Sequence, residues 1–194
     1  MKVAIVKYNA GNTASVMNAL RRVGVEAITT DDVELLRTAD KVIFPGVGEA
    51  STAMAYLRDR GLDAVILSMT QPVLGICLGM QLLCAESEEN GTRCLGILPH
   101  CVRRFSTEGL KVPHIGWNTL THLRSPIFDS VKGDSHVYFV HGYFVEPLES
   151  STAISEYGER FSAAIQRGNF YGVQFHPEKS GKIGERILRN FLNL

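Results

Sequence analysis

The chain has no cysteine pair at metal-ligand spacing, no surplus of charge of either sign, no apolar run of membrane-spanning length and only one tryptophan. Each absence excludes a class of function. Cys77, Cys84, Cys94 and Cys101 lack the close pairing of a zinc or dithiol site, so they read as free thiols, with no metal and no cofactor expected. Lys plus Arg number 20 against 20 Asp plus Glu, and no basic cluster is interleaved with aromatics. That balance removes the electrostatic case for a nucleic acid or an acidic membrane surface as partner, and points to a small substrate. Met1-Lys2 runs directly into Val3-Ala4-Ile5-Val6, which predicts a buried strand rather than a targeting leader, and hence a cytoplasmic protein. There is no internal repeat or low-complexity linker, so the expectation is a single domain over residues 1–194. The 45% hydrophobic content can furnish its core.

What is present is an alternation of apolar runs and helical patterns. Segments 2–6, 25–29, 41–44 and 73–76 read as strands separated by helices, the signature of a parallel sheet covered on both faces. The first helix begins at Asn12 or Thr13, carries Val16, Leu20 and Val23 near helical spacing, and ends at Gly24. After residue 100 the segments 136–140, 152–156, 162–167 and 170–175 are short and β-rich, predicting an antiparallel extension of the sheet before a last helix over 183–192. The fold class expected is therefore α/β: an open, mostly parallel central sheet flanked by helices, with antiparallel strands in the C-terminal half.

Gly75-Ile76-Cys77-Leu78-Gly79-Met80-Gln81 is the most informative stretch. An apolar strand precedes Cys77 and the helix formers Met80, Leu82, Leu83 and Ala85 follow it, which places the thiol at a strand-to-helix elbow. Glycines on both sides are expected to permit the turn, and the start of a helix favours thiolate. About a hundred residues later Gln174-Phe175-His176-Pro177-Glu178 sets a base, His176, and its orienting acid, Glu178, on one side of an extended segment. Phe44-Pro45-Gly46-Val47-Gly48 follows a buried strand, and the Gly48 N–H together with that of Leu78 can form an oxyanion hole. Each piece alone has a plain alternative: a core cysteine, a strand end, a turn. Cys84, Cys94 and Cys101 keep the core reading. The coincidence of the three in one α/β chain favours an enzyme with a Cys77-His176-Glu178 triad.

These motifs resemble the class I glutamine amidotransferases along essentially the whole chain. Within that class, Asn9-Ala10-Gly11-Asn12, Pro45-Gly46-Val47-Gly48, Val112-Pro113-His114-Ile115-Gly116-Trp117-Asn118, Phe139-Val140-His141 and His176-Pro177-Glu178-Lys179-Ser180 are similar to the glutaminase subunits of imidazole glycerol phosphate synthase. The resemblance implies glutamine as substrate, a thioester on Cys77, and substrate contacts from Gly46, Val47, Gln81 and His141. It also implies a partner, a (β/α)8 cyclase subunit that receives ammonia and makes imidazole glycerol phosphate and an aminoimidazole carboxamide ribotide in histidine biosynthesis. Asn12, Pro113, Trp117 and Lys179 are the interface candidates, Trp117 being equally readable as core and Lys179 as a solvated charge. A free subunit of this kind is expected to be a poor glutaminase, with the Val47-Gly48 peptide as the candidate switch. Two departures stand out: Gly142 occupies a position where the family commonly has serine, and Lys7-Tyr8-Asn9 lacks the usual acidic residue. A different amidotransferase partner, a stand-alone thiol hydrolase and a non-catalytic binding module remain open at this point.

Overall fold

The computed structural model describes residues 1–9, 11–106 and 108–194; Ala10, within the expected turn from Asn9 to Asn12, lies outside the described residues. The first half alternates strand and helix: β1 (Val3–Val6), α1 (Thr13–Arg22), β2 (Ala27–Thr30), α2 (Val33–Arg37), β3 (Lys41–Gly46), α3 (Ala50–Asp59), α4 (Leu62–Leu67), β4 (Val73–Cys77) and α5 (Leu78–Leu82). The second half is mostly strand: β5 (Cys84–Ser87), β6 (Thr92–Arg93), β7 (Leu98–Arg104), β8 (His114–Leu120), β9 (Ser135–His141), β10 (Tyr143–Val145), β11 (Ser151–Tyr157), β12 (Glu159–Arg167) and β13 (Phe170–Val173). Helix α6 (Gly181–Leu192) follows.

The central sheet runs β11-β12-β13-β4-β3-β1-β2. From β2 to β13 the neighbours are parallel, and β12 is antiparallel to both β13 and β11. Strands β1, β3 and β4 are buried at every position, as continuous apolar runs covered on both faces must be. Their side chains alternate between two cores. Ala4, Val6, Val42 and Phe44 pack with Met54, Leu57 and Ile66 on one face, whereas Val3, Ile5, Ile43 and Leu74 pack with Val16, Leu20, Leu188 and Phe191 on the other. Helix α1 starts where the Asn12 side chain accepts the Ser15 N–H at 3.2 Å, a cap worth about 1 kcal/mol. Strand β4 lies between β3 and β13, so the loops leaving the carboxyl ends of these three strands meet at one point of the sheet edge.

Two expectations needed correction, and one sheet was not foreseen. Segment 136–140 does not extend the central sheet: β9 pairs with β8 in a two-stranded antiparallel ribbon, from His114 opposite His141 to Leu120 opposite Ser135. The Tyr138 carbonyl accepts the His176 N–H at 2.9 Å, and the Tyr138 N–H donates to Ser180 Oγ at 3.0 Å. The loop after β13 thus takes the hydrogen bonds that a sheet neighbour would have offered. A second sheet, β10-β7-β5-β6, had no strong period-2 pattern to announce it. Finally, the helix after Cys77 stops at Leu82 and Ala85 lies in β5. The cause is long-range pairing: the N–H groups of Leu95, Leu98 and Gly96 donate to the carbonyls of Leu82, Leu83 and Cys84, drawing the chain into the second sheet despite its helical propensity. Among the described residues no helix is long and apolar enough to cross a membrane.

Candidate active site

The elbow after β4 is sharp because Cys77 itself bends. Its backbone sits at φ 53°, ψ −110°, a region that L-residues rarely adopt, and the following residue starts α5. The flanking glycines act differently from expectation. Gly79 has no positive φ, yet a Cβ there would lie 1.8 Å from the Phe44 carbonyl oxygen, so its role is to let α5 press against β3. The strain of the turn therefore falls on Cys77 itself, which is held 7% exposed.

Around the sulfur the contacts are specific. Cys77 Sγ–H points to the Val140 carbonyl at 3.6 Å, and Gln174 Nε2–H donates to Sγ at 3.7 Å. His176, in the loop after β13, donates from Nδ1 to Glu178 Oε1 at 2.8 Å, which leaves Nε2 for the thiol. Both side chains are almost wholly buried, at 3% and 2% exposure, and Glu178 Oε2 has no partner among the described residues. Burial alone would depress the imidazole's basicity, but hydrogen bonds and negative charge from Cys77 and Glu178 outweigh it, and the His176 pKa is pushed up to about 10. A protonated base beside a sulfur is the arrangement that stabilises thiolate.

Cys77 and His176 open on one cleft of about 270 Å³, lined also by Val47, Gly48, Leu78, Gln81, Glu89, Pro113, His141, Gly142 and Lys179. Triad and oxyanion candidates are thus brought together. Gly48 takes φ 112° on the exposed rim, a backbone conformation open chiefly to glycine. Gly46 does not line the cleft: it is buried beside Cys77 in the sheet, and a Cβ there would lie 2.7 Å from Gly79 N, Leu78 Cβ and Tyr8 Oη. Gln81 lines the cleft but spends both amide hydrogens inward, on the Tyr143 carbonyl at 3.0 Å and on Gln174 Oε1 at 2.9 Å. His141 likewise engages both ring nitrogens, with the Tyr143 carbonyl at 2.8 Å and with His114 Nδ1 at 3.1 Å. Burial pushes its pKa down to about 3, so it is a neutral wall of the site.

The interface candidates divide. Pro113 and Lys179 stand at the cleft, with the Lys179 ammonium 5.9 Å from the Tyr138 ring centroid. Trp117 is 56% exposed with Ile115 at 57% on the same side of β8, so the core alternative for the tryptophan fails. Asn12 is committed to capping α1. Sequence reasoning missed Glu89, a cleft carboxylate in a short turn of Glu89–Gly91, because no motif marks it. Burial raises its pKa, although the Ala50 N–H, donating to Oε2 at 2.7 Å, supports the charged form.

Comparison with known proteins identifies the family. Residues 4–194 match the family model described as glutamine amidotransferase class-I. The imidazole glycerol phosphate synthase subunit HisH of Bacteroides fragilis is 56% identical over the whole of both chains. That of Idiomarina loihiensis is 48% identical over 100% of this chain and 98% of its own, and that of Haemophilus influenzae 46% over 99% and 97%. In fold, the chain resembles a crystal structure of a glutamine amidotransferase (TM-score 0.76, 23% identity, covering 98% and 97%) and PurLQS from Thermotoga maritima (0.74, 18%, 99% and 97%). The protein belongs to the class I glutamine amidotransferases, among the HisH glutaminase subunits to which it is similar from end to end.

Proposed function

We propose that residues 1–194 act as a single glutaminase domain that releases ammonia from glutamine through a thioester on Cys77. The observation that carries this reading is the strained Cys77 opening on the same cleft as the buried His176–Glu178 pair. His176 Nε2 takes the thiol proton and the thiolate attacks the side-chain amide carbon of glutamine. The oxyanion that forms is held by the N–H groups of Gly48 and Leu78, each donor of this kind being worth about 3–4 kcal/mol in the transition state. His176 then gives its proton to the leaving nitrogen, which departs as ammonia. A water deprotonated by the same imidazole attacks the thioester carbon, releasing glutamate and returning the thiol. Glu178 keeps His176 in the tautomer that faces Cys77 and stabilises its imidazolium. Glu89 is placed to pair with the α-ammonium of glutamine, while Val47, Gln81 Oε1 and the edge of His141 shape the rest of the cleft.

The partner is a (β/α)8 cyclase subunit of imidazole glycerol phosphate synthase, which uses the ammonia to form imidazole glycerol phosphate and an aminoimidazole carboxamide ribotide. Full-length identity to HisH subunits supports this, and so does an exposed Ile115–Trp117 strand face next to a cleft rimmed by Pro113 and Lys179. Channelling suits this chemistry, since most ammonia released to water at neutral pH is protonated and loses its nucleophilicity. The Val47-Gly48 peptide, next to a glycine in a special conformation, is the element through which docking would complete the oxyanion hole.

Glutamate release by the purified chain, alone and with the cyclase subunit and its nucleotide, tests the reading against a Cys77→Ala control. We expect low turnover alone, a large rise with partner and nucleotide, and none in the control. High turnover without partner would make the chain a stand-alone hydrolase, and activity surviving Cys77→Ala would remove the thioester.

A further inference from the structure

Gln174 is fully buried, does not line the cleft, and yet touches the reacting atom. Its two amide ends are committed in opposite directions. Nε2–H donates to Cys77 Sγ at 3.7 Å, and Oε1 accepts from Gln81 Nε2 at 2.9 Å. The Gln81 amide is fixed in turn by its second hydrogen, which goes to the Tyr143 carbonyl at 3.0 Å, an oxygen that also accepts from His141 Nδ1 at 2.8 Å. Oε1 of Gln174 takes a donor, so its amide has only one orientation: the NH2 group must face the sulfur. The backbone on either side is anchored as well, with the Gln174 N–H on the Ala163 carbonyl at 2.8 Å.

We infer that Gln174 is an additional donor to the Cys77 sulfur, favouring its anionic form and fixing its direction, and that Gln81 is the residue that positions this donor. The inference rests on the reading of Cys77 as the nucleophile. Its physical logic is a contest between two neighbours of one atom. The Val140 carbonyl is an acceptor and can be satisfied only by S–H, whereas the Gln174 amide is a donor and is best satisfied by S⁻. A fully buried donor acts on a localised charge more strongly than it would in solvent. On this account the Gln81 side chain is first of all a support for the nucleophile, with its Oε1 left for substrate.

The test reads the thiolate directly. In the full-length chain, alkylation of Cys77 by iodoacetamide is followed against pH with peptide-level mass detection, so that Cys84, Cys94 and Cys101 do not contribute. His176 and Tyr8 face the sulfur, and His141, Glu89 and Lys179 share the cleft. All five are unchanged in the variants and form a common background. Gln174→Met keeps the volume and removes the donor; Gln81→Met keeps the donor and removes its support. For Gln174→Met we expect the alkylation midpoint to rise by about one pH unit, roughly tenfold less thiolate below it. Glutaminase kcat in the presence of the partner should fall several-fold with KM little changed, because Gln174 does not reach the cleft. Gln81→Met should shift the midpoint the same way by a smaller amount. If Gln174→Met does not fold, Gln81→Met decides by itself. An unchanged midpoint in a folded variant overturns the inference, while loss of activity in Cys77→Ala would still leave the glutaminase reading standing.

Discussion

Cys77 carries a backbone conformation that costs of order 1–3 kcal/mol, and it is held where α5 packs closely against β3. Gly79 shows how tightly. With a Cβ position 1.8 Å from the Phe44 oxygen, Gly79→Ala must push α5 off β3, and we expect a loss of about 3 kcal/mol or more, read as a lowered urea midpoint. A midpoint within experimental error of the parent would mean that the elbow is looser than described. Gly142 is the contrasting case. It has no positive φ, and a Cβ there would meet nothing nearer than Val112 Cγ1 at 3.6 Å. Gly142→Ser, the residue usual in the family, should therefore fold with a stability change within about 0.5 kcal/mol. A Tm drop of several degrees would sink this account of the position. Cys77, His176 and Glu178 were legible in the sequence as candidates, because each sits in a motif whose residue types have a chemical reason. Gln174 belongs to the same motif, but its donor function depends on a residue 97 positions away and could be seen only once β4 and β13 were paired.

The β8–β9 ribbon is the element with the most unusual demands. Two strands by themselves are marginal, and this pair is held by the Tyr138 bonds to the loop after β13 and by the bridge between Thr121 and Ile154. Its inner face buries two histidines in contact. His141 donates from Nδ1 to the Tyr143 carbonyl, so its Nε2 must accept the His114 Nδ1–H, and the His114 ring is stacked 4.0 Å from Tyr157. Burial pushes the pKa of His114 to about 4 and that of His141 to about 3, against an ordinary 6.5. Below pH 6.5 the unfolded chain therefore binds protons that the folded ribbon refuses, and stability falls with pH down to about 4, each imidazole contributing up to about 1.4 kcal/mol per unit. His176 has the opposite sign: its raised pKa stabilises the fold below 6.5, and that contribution is lost as pH rises through about 10. Urea midpoints at pH 5 and 7 measure the ribbon's share; we expect a clear decrease at pH 5, reduced in His114→Gln, and equal midpoints would show that the pair does not govern acid stability. The opposite face of the same ribbon presents Ile115 and Trp117 to solvent. Alternation along β8 is what lets one strand bury His114 against His141 and expose Ile115 and Trp117 on its other face.

At the scale of the whole molecule, the two cores on either face of the sheet fix where β3, β4 and β13 end, and the site is the meeting of their loops. Docking of a cyclase subunit would cover the rim of that meeting point. Trp117 is the chain's single tryptophan, so this subunit's tryptophan emission comes from that one position. We expect a blue shift on adding the cyclase subunit, and weaker binding by about 2 kcal/mol for Trp117→Ala with the free subunit's stability unaltered. An unchanged spectrum in a complex demonstrated by sedimentation would place the interface elsewhere.

The alternating apolar segments by themselves determined the parallel half of the fold, since a strand buried on both faces and a helix with one apolar stripe leave local, periodic signatures. The same is true of Cys77, His176 and Glu178 as candidates for a nucleophile, its base and its acid, whose residue types are chemical requirements. Tertiary structure alone decided the second sheet, the ribbon, the short length of α5 and the hydrogen-bonded pairs Gln81–Gln174 and His114–His141. These rest on pairings between distant segments, and the free energy that selects such pairings resides in contacts that no stretch of chain contains by itself.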